Sequence, residues 1–490
     1  MSNTSSEVRL STVFKNPSGS AVLDRERRIR LLSDADRDII RLANDPNFSR
    51  WLEQIKAIGG CARPVYLSGS TMTRDAVTGE VISSYSTATE PGERLAVRCR
   101  NRRASVCEPC SRLHAGDTFQ LVRTGLSGGK NVPVAVRERP RLFVTLTAPS
   151  FGPVHRAVDG ERCRPRRDTP HCEHGRLLGC GLAHADNDPL AGLPLCADCY
   201  DYVGHVLWHA HAGLLWDRFA TAVRRHLASV AGIPRSKLAG HLVVSFAKVA
   251  EFQKRAAVHF HAVVRLDGPD GPSSPPPAWA TADLLLEAVA HAAASGYVTP
   301  PDSAAYGTER LAWGAQFDAR PVHSFDGPDG LSDGAVAGYV AKYVSKGATE
   351  TGAGVDYRII TADDIRASAV NGHIRALMGT CWRLGGLSEL EHLRLRSWAH
   401  SLGYRGHILT KSRRYSTTYG ALREERAEYQ RDSTEPTDSP DTVTESAWRY
   451  VGSGYTPGAA QLAAGIAEGL AASRQLSREA LEDEKRGWPL

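Results

Sequence analysis

The sequence predicts an α+β fold with an antiparallel sheet, flanking helices and inserted zinc-binding modules. Three observations lead to this prediction. Strand-like and helix-like segments alternate along the chain, and the strands at 241–251 and 257–266 form a hairpin pattern. Nine of the ten cysteines fall in two segments, 61–110 and 163–199. A chain of 490 residues is long enough for two to four units of ordinary size.

Hydrophobic periodicity predicts the individual elements. Residues 24–57 have apolar positions at helical spacing, which predicts an N-terminal helical segment. Farther along, apolar alternation, apolar runs and their Gly/Pro boundaries predict the other elements. The predicted strands are 142–147, 241–251, 257–266 and 312–321, and the predicted helices are 202–230, 281–294 and 334–346.

These elements and the composition predict four domains. An N-terminal helical segment, residues 1–60, precedes a zinc-binding basic module at 61–135. A sheet domain with a Cys/His insertion at 160–200 spans residues 136–430, and residues 431–490 form an acidic linker and a C-terminal tail. The linker prediction depends on residues 432–445, which hold five acidic residues and no basic residue, a composition typical of disorder.

Positive charge is concentrated in one stretch, although the net charge is only +6. Between Arg98 and Arg141, ten basic residues stand against three acidic ones, which indicates a surface that faces phosphates; a solvated face is the alternative. No apolar run is long enough to span a membrane, and the N-terminus lacks the apolar segment of a secretion signal. We therefore expect a cytoplasmic protein with no membrane partner.

The cysteines predict structural zinc, because thiols stay reduced in the cytosol and disulfides are rare there. One tetrahedral Cys₄ site is predicted from Cys61, Cys99, Cys107 and Cys110. For a second site, Cys196 and Cys199 have a partner in Cys180 and a fourth ligand in Cys172 or His174, with Cys163 and His184 as competitors. Cys381 is isolated and is expected in the core.

Two histidines on one predicted strand form a candidate metal site. His259 and His261 project from the same face because side chains alternate along a strand; paired surface or core histidines are the alternative. Glu251, on the preceding strand, joins them only if an odd number of residues forms the turn or a bulge intervenes. A site of imidazole and carboxylate ligands with open positions suits Mg²⁺ or Mn²⁺.

A predicted helix carries two Tyr-x-x-Lys units, Tyr339 with Lys342 and Tyr343 with Lys346. At 100° per residue, Val336, Val340 and Val344 form a buried stripe and both tyrosines lie along its edge. A phenol is a poor nucleophile at neutral pH unless a nearby cation stabilises the phenolate, which each lysine could do. The alternative is an amphipathic helix with tyrosines at the margin of the core.

The order of these motifs resembles the HUH endonuclease superfamily, specifically its rolling-circle replication initiators. The strand at 142–147 resembles the first motif of that family, His259-Phe-His261 the second, and residues 339–346 the nucleophile motif in its paired-tyrosine form. Much of residues 60–425 also resembles the initiators of actinobacterial plasmids and integrative elements. The segments that carry this likeness are 59–64, 196–202 and 403–415.

The resemblance implies an HUH endonuclease-like fold at 136–430 and metal-dependent, site-specific nicking of one strand at a plasmid replication origin. It implies that His259, His261 and Glu251 bind the metal. One tyrosine would form a 5′-phosphotyrosine bond and free a 3′-OH, and the second could end the round. Which tyrosine attacks first is open, and Tyr343 alone is an alternative. With no phosphate-binding Gly-x-x-x-x-Gly-Lys-Ser/Thr loop in the sequence, unwinding falls to a host helicase, and a host polymerase extends the 3′-OH.

Two basic segments are the candidate DNA contacts. The first consists of Arg98, Arg100, Arg102 and Arg103, and the second of Lys411, Arg413 and Arg414.

Three other functions are alternatives to origin nicking. A transposase or conjugative relaxase would use the same motifs on another DNA. A histidine-triad hydrolase fails because Val263 stands where a histidine is needed. In a non-catalytic, zinc-stabilised DNA-binding regulator the two tyrosines would only pack.

Overall fold

The computed structural model describes residues 32–158, 161–164, 170–307, 310–323, 331–345, 354–432 and 442–486. The chain forms two compact units. The first comprises residues 1–99, 106–109 and 437–490, and the second comprises residues 100–105 and 110–436. This division differs from the four domains predicted above, because the C-terminal residues belong to the same unit as the N-terminal ones.

Strands and helices alternate through both units. The strands are β1 (Val65–Asp75), β2 (Val81–Ser86), β3 (Leu95–Val97), β4 (Arg141–Leu146), β5 (Val243–Phe252), β6 (Val258–Asp267), β7 (Tyr297–Val298), β8 (Leu311–Ala312), β9 (Phe317–His323), β10 (Leu331–Ser332), β11 (Leu409–Lys411) and β12 (Thr442–Ser453). The α-helices are α1 (Asp34–Ala43), α2 (Phe48–Ala57), α3 (Glu108–Ser127), α4 (Tyr202–Val230), α5 (Ala282–Ser295), α6 (Asp333–Ser345), α7 (Ala362–Ala367), α8 (Gly372–Leu384), α9 (Tyr419–Asp432) and α10 (Pro457–Arg486).

The first unit is built around β1, which pairs with β2, β3 and the C-terminal strand β12. Gly69 is required in β1 because a Cβ there would overlap the Ala447 carbonyl of β12. Helix α10 then packs against α1, where the Asp38 carboxylate accepts hydrogen bonds from the backbone N–H groups of Gly458 and Ala459. Residues 442–486 are therefore an integral strand and helix, which corrects the predicted C-terminal tail.

The second unit contains a six-stranded sheet in the order β10-β9-β4-β6-β5-β11. Its pairings are antiparallel except for the short β9–β10 pair. One face packs on α4, α5 and α8 through residues such as Trp208 and Phe260. The other face packs on α3 and α6 through residues such as Phe143 and Val263. The predicted α+β class with an antiparallel sheet and flanking helices is confirmed, and the HUH assignment stays a prediction.

Most predicted elements lie within two residues of the observed ones, and two differ. The helix predicted at 24–57 is two helices, α1 and α2, separated at Asn44–Asn47, where Pro46 interrupts the helical pattern; residues 24–31 lie outside the described part. The strand predicted at 312–321 is divided between β8 and β9 because Gly314 leaves the strand and its N–H donates to the Thr147 carbonyl. In the described residues no helix is long and apolar enough to cross a membrane.

A buried ion pair connects β6 to the neighbouring segments. Arg265 of β6 pairs with Asp267 at 2.8 Å, and both side chains are fully buried. The carboxylate also accepts a hydrogen bond from Ser245 Oγ, and the guanidinium donates to the carbonyls of Gly125 and Tyr415. With its hydrogen bonds satisfied in this way, a buried ion pair is tolerated; removal of either partner would leave an uncompensated charge.

Lys248 is a buried cation on the opposite face of the sheet, in β5. Its ammonium lies 4.0 Å from the centre of the Phe260 ring and 5.1 Å from that of Trp216. Burial disfavours the charged form and lowers the pKa of Lys248 to about 8. The unfolded chain therefore binds more protons than the folded chain between about pH 8 and the ordinary lysine pKa of 10.5, so Lys248 makes stability rise with pH across that window.

We expect Lys248→Met to stabilise the second unit at pH 7 by on the order of 2 kcal/mol, because methionine fills similar volume without a buried charge. The advantage should shrink as the pH rises above 8, where the wild-type lysine loses its proton on folding. Urea unfolding at pH 7 and pH 10 measures both effects. The exposed Lys237→Met is the control and should change neither value. A variant that is less stable than the wild type at pH 7 would mean that the ring contacts of the lysine outweigh the cost of its burial.

Candidate active site

The β5–β6 hairpin positions three candidate metal ligands. Its turn consists of the five residues 253–257, so Glu251 lies directly opposite His259 in the sheet register. Because the turn is odd, Glu251 shares a face with both histidines, which is the condition set by the sequence. Ala256 closes the turn in the left-handed region, and its N–H donates to the Gln253 carbonyl. The sheet register therefore brings the three side chains together.

The three side chains converge on one point. Glu251 Oε2 lies 2.9 Å from His259 Nε2 and 3.0 Å from His261 Nε2, and the two Nε2 atoms are 3.1 Å apart. Burial opposes ionisation of Glu251, but hydrogen bonds from the two imidazoles outweigh it and lower the carboxyl pKa to about 2. Burial lowers the pKa of His261. An ionised carboxylate and two imidazoles in this arrangement could hold a metal ion.

Neighbouring side chains hold both imidazoles in orientation. Thr145 Oγ1 of β4 lies 3.0 Å from His261 Nδ1, and the Gln253 amide nitrogen lies 3.3 Å from His259 Nδ1. The Phe143 ring stacks parallel on His261 with centroids 5.7 Å apart. Thr145 Oγ1 can accept the Nδ1 proton of His261, as orienting partners of metal-binding histidines do, whereas the Gln253 amide group is a donor toward His259 Nδ1.

Helix α6 places both tyrosines beside this group. Val336, Val340 and Val344 are buried against the sheet, as the sequence predicted, and Tyr339 and Tyr343 are partly buried along the edge of the stripe. The Tyr339 hydroxyl lies 3.0 Å from His261 Nε2. The Tyr343 ring stacks on the His261 ring with centroids 6.1 Å apart, and it lies tilted against the Tyr339 ring with centroids 4.6 Å apart.

The sequence predicted lysine cations beside both phenols, but the charged group that changes their pKa in the structure is the Glu251 carboxylate. Burial raises the pKa of Tyr339 and of Tyr343, and the negative Glu251 raises both further. Lys342 is exposed, and its ammonium lies 5.8 Å from the centre of the Tyr343 ring. Lys346 lies outside the described residues, so its role stays a prediction. Burial and the Glu251 carboxylate thus both favour the protonated form of the two phenols.

Buried polar contacts anchor α6 at its N-terminus. Asp333, the first residue of the helix, pairs with Arg141 of β4 at 3.2 Å, and both side chains are almost completely buried. Ser127 Oγ donates to the same carboxylate at 2.8 Å. An acidic side chain at this position also interacts favourably with the helix dipole. At the other end, Arg102 donates to the Val344 carbonyl at 3.1 Å.

The basic residues predicted to bind DNA have different surroundings. Arg102 caps α6, and Arg103 pairs with Asp356. In the second segment, Lys411 donates to the Ser416 carbonyl at 3.0 Å and Arg414 to the Pro269 carbonyl at 2.8 Å. Arg98 is partly buried, whereas Arg100 and Arg413 are exposed. Several of the predicted DNA contacts therefore also have contacts within the protein.

The first cysteine group begins in the first unit. Cys61 and Cys107 have sulfur atoms 3.8 Å apart, and the backbone N–H groups of Cys99 and Ala62 each donate to one of these sulfurs at 3.3 Å. Cys110, the fourth predicted ligand, follows Cys107 by three residues in the first turn of α3. Thiols with this spacing and N–H···S contacts could hold a metal ion such as zinc.

The insertion contains two groups of potential ligands, and the predicted second site mixed them. The first group is His155, Cys163, Cys180 and His184; the second is Cys172, His174, Cys196 and Cys199. Cys180 was assigned to the wrong group, because its sulfur lies 3.4 Å from His184 Nε2, whereas His174 Nδ1 lies 3.2 Å from the Cys199 sulfur. Cys381 is buried in the core, as expected.

Comparison with known proteins identifies the family. The family model described as RepSA, replication initiator protein, pSAM2, matches residues 47–468. The chain belongs to this family of replication initiator proteins. A replication initiator protein of Streptomyces ambofaciens is 46% identical over 457 residues, which cover 91% of this chain and 96% of that protein. No solved structure matches this initiator. The resemblance to replication initiators is confirmed, and HUH superfamily membership stays a prediction.

Sequence reasoning missed several residues that shape the sites of this initiator. Thr145 lies in a strand that was recognised, but its contact with His261 depends on pairing between β4 and β6. The pair of Arg141 with Asp333 likewise acts across elements that are distant in sequence, whereas Gln253 lies in the turn six residues before His259 and was overlooked. His155 gave no signal, because it is isolated from the Cys-x-x-Cys pairs.

We expect Asp333→Asn to destabilise the second unit by about 3 kcal/mol, because it leaves Arg141 as an uncompensated buried charge. Urea unfolding measures the loss, and hydrogen exchange should become faster in the amides of α6. Asp34→Asn is the control: this carboxylate pairs with Arg37 on the exposed surface of α1, where loss of an ion pair costs less than about 1 kcal/mol. Equal effects of the two substitutions would contradict the anchoring role of Asp333.

Proposed function

We propose that this replication initiator binds its origin and nicks and rejoins one DNA strand through a 5′-phosphotyrosine intermediate. One observation carries the proposal. The two phenols of α6 lie beside the group of Glu251, His259 and His261, with the Tyr339 hydroxyl 3.0 Å from His261 Nε2. A non-catalytic regulator has no need for two phenols beside potential metal ligands. The arrangement also supports the proposed likeness to HUH endonucleases.

The donor atoms fit a six-coordinate divalent ion. Neighbouring ligands around an octahedral ion at about 2.1 Å are about 3.0 Å apart, whereas tetrahedral ligands at that distance are about 3.4 Å apart. The three contacts here are 2.9, 3.0 and 3.1 Å. These distances are compatible with a six-coordinate ion, and a site of imidazole and carboxylate ligands with open positions would suit Mg²⁺ or Mn²⁺. When bound, such an ion would withdraw charge from the scissile phosphate and offset the charge of Glu251.

A tyrosine of α6 would perform the nucleophilic step. The phenol oxygen of Tyr339 or Tyr343 attacks the phosphorus and loses its proton, the bond from phosphorus to O3′ breaks, and the 3′ oxygen leaves as a hydroxyl after taking up a proton. One phosphodiester is exchanged for another, so the reverse reaction rejoins the strand without ATP. Lys342, whose ammonium lies 5.8 Å from the centre of the Tyr343 ring, would contact the scissile phosphate and help to favour the phenolate. Lys346 follows Tyr343 by three residues, as Lys342 follows Tyr339, and would act in the same way.

Two tyrosines separated by one helical turn allow two successive transfers. Their rings are 4.6 Å apart and both lie near His261, so each phenol can reach the same point. One tyrosine would open the origin, and the other would cut the regenerated origin at the end of a round. The free 3′-OH would prime a host polymerase, and a host helicase would separate the strands.

The remaining proposals concern DNA contacts and structural zinc. Arg100 and Arg413 are exposed and are the best placed of the predicted residues to contact DNA phosphates. Further phosphate contacts would come from Arg98 and from the predicted residues that also have protein contacts, which are Arg102, Arg103, Lys411 and Arg414. In the first cysteine group, Cys61, Cys99, Cys107 and Cys110 would hold zinc as a closed structural site.

Covalent capture of DNA tests the nucleophile. Single-stranded oligonucleotides that tile the origin region are incubated with the full chain and Mn²⁺. A 3′-labelled oligonucleotide should label the protein, and a 5′-labelled one should yield a shorter free fragment, because the tyrosine retains the 5′ phosphate. Tyr339→Phe/Tyr343→Phe should abolish the adduct, whereas Tyr429→Phe, at an exposed position of α9, should leave it unchanged. An undiminished adduct in the double variant would overturn the proposal.

Metal titration tests the ligands without DNA. We expect Glu251→Gln and His261→Ala each to weaken Mn²⁺ binding at least tenfold, measured by calorimetry, because each removes one of three donors. Glu287→Gln is the matched control: Glu287 contacts His226 at 3.1 Å but belongs to none of the potential metal-binding groups, and its loss should not alter binding. Wild-type affinity for Mn²⁺ in both site variants would refute the metal assignment.

A further inference from the structure

A four-residue group in the insertion of the second unit has the donors of a zinc site that the sequence did not predict. It comprises His155, Cys163, Cys180 and His184, whose ligand atoms all lie within 4.8 Å of one another. His155 Nδ1 lies 3.2 Å from His184 Nε2, and the Cys180 sulfur lies 3.4 Å from the same nitrogen. In a tetrahedral zinc site, two nitrogens are about 3.3 Å apart and a nitrogen and a sulfur about 3.6 Å. The two contacts are of the size expected for a tetrahedral zinc site, and two sulfur and two nitrogen donors are a ligand set typical of structural zinc.

Further contacts orient the ligands of this group. His184 Nδ1 lies 2.7 Å from the Asp188 carboxylate, which directs Nε2 into the group, and this carboxylate–histidine pair is typical of zinc sites. The backbone N–H of Arg156 donates to the Cys163 sulfur at 3.3 Å, which would stabilise a thiolate. Cys163 and His184 are buried, which limits access of water to two of the four ligands.

The ligands of this group alternate in pairs with those of the second group. Along the chain, the pair His155 and Cys163 is followed by Cys172 and His174 of the other group. The pair Cys180 and His184 then precedes Cys196 and Cys199. The first and third pairs form one group, and the second and fourth pairs form the other. Each group therefore closes a loop that contains half of the other group.

We propose that the described residues between His155 and Cys199 form a cross-braced module that binds two zinc ions. One ion is held by His155, Cys163, Cys180 and His184, and the other by Cys172, His174, Cys196 and Cys199. Neither group has an open position in a four-coordinate shell, so both zinc ions are structural. The interleaved order couples the two sites: loss of one ion removes the constraint that holds two ligands of the other together.

The module braces the turn between the candidate metal ligands. Lys254, in the β5–β6 turn, donates to the Asp186 carboxylate at 2.9 Å. Gly192 lies so close to the same turn that a Cβ would overlap the Lys254 backbone, and its positive φ of 92° also favours glycine. Residue 253 of this turn contacts His259, as described above. The two zinc ions therefore support the loop that sets the β5–β6 register.

Zinc analysis of the full chain, without DNA or Mn²⁺, tests the module. Cys163→Ser/Cys180→Ser should lose one zinc equivalent on purification and a second on dialysis against a chelator that leaves the wild type loaded. Cys381→Ser, which alters a buried cysteine of the core, is the control and should retain the wild-type content. His184→Cys replaces one zinc ligand by another and should restore zinc that His184→Ala loses, which separates ligation from misfolding.

Two results would overturn the module. An unchanged zinc content in Cys163→Ser/Cys180→Ser would remove the first site. A second zinc held as firmly in that variant as in the wild type would show that the two sites are independent and would refute the interleaved arrangement. In Co²⁺-substituted wild type, thiolate charge-transfer absorption should be present, and it should fall in the double variant. Neither result depends on the nicking reaction, because DNA and the Mn²⁺ site take no part.

Discussion

The pairing of Glu251 with His259 is the constraint on which the other functional contacts depend. A five-residue turn sets this register and brings three polar side chains to one face of the sheet. A shift of one residue in β5 would turn Glu251 toward the layer that contains Phe260 and Trp216. The site would then lose its carboxylate, and a charge would be buried among aromatic rings. Under the proposed function, the odd length of this turn is therefore a condition for activity as well as for folding.

Helix α6 uses that face in two ways. Its valine stripe completes the second hydrophobic layer, and the same packing directs Tyr339 and Tyr343 toward the histidines. The pair of Arg141 with Asp333 holds the start of the helix to β4, the strand that also supplies Thr145. Glu251 raises the pKa of both phenols, so under the proposed function their reactivity depends on the bound cation. The packing of α6 and the proposed chemistry of its two tyrosines thus depend on the same few contacts.

The insertion also contacts the β5–β6 hairpin at its turn. Residues 155–199 contain little regular secondary structure in their described parts, so hydrophobic packing alone gives them few constraints. In the proposed cross-braced module, two zinc ions would supply that rigidity and transmit it through Asp186 and Gly192 to the β5–β6 turn. This arrangement offers a reason for a large Cys/His insertion so close to the proposed catalytic residues.

The sequence by itself determined the features that depend on local pattern. Strand alternation places His259 and His261 on one face, and helical spacing predicts the valine stripe with both tyrosines at its edge; the structure has both. Tertiary structure decided whatever depends on pairing between distant segments. Examples are the place of Glu251, the contact of Thr145 with His261, the grouping of Cys180, and the return of residues 442–486 to β1. The periodicity of a segment indicates which of its own faces is buried. Sheet register and ligand grouping depend instead on which segments become neighbours in the folded chain.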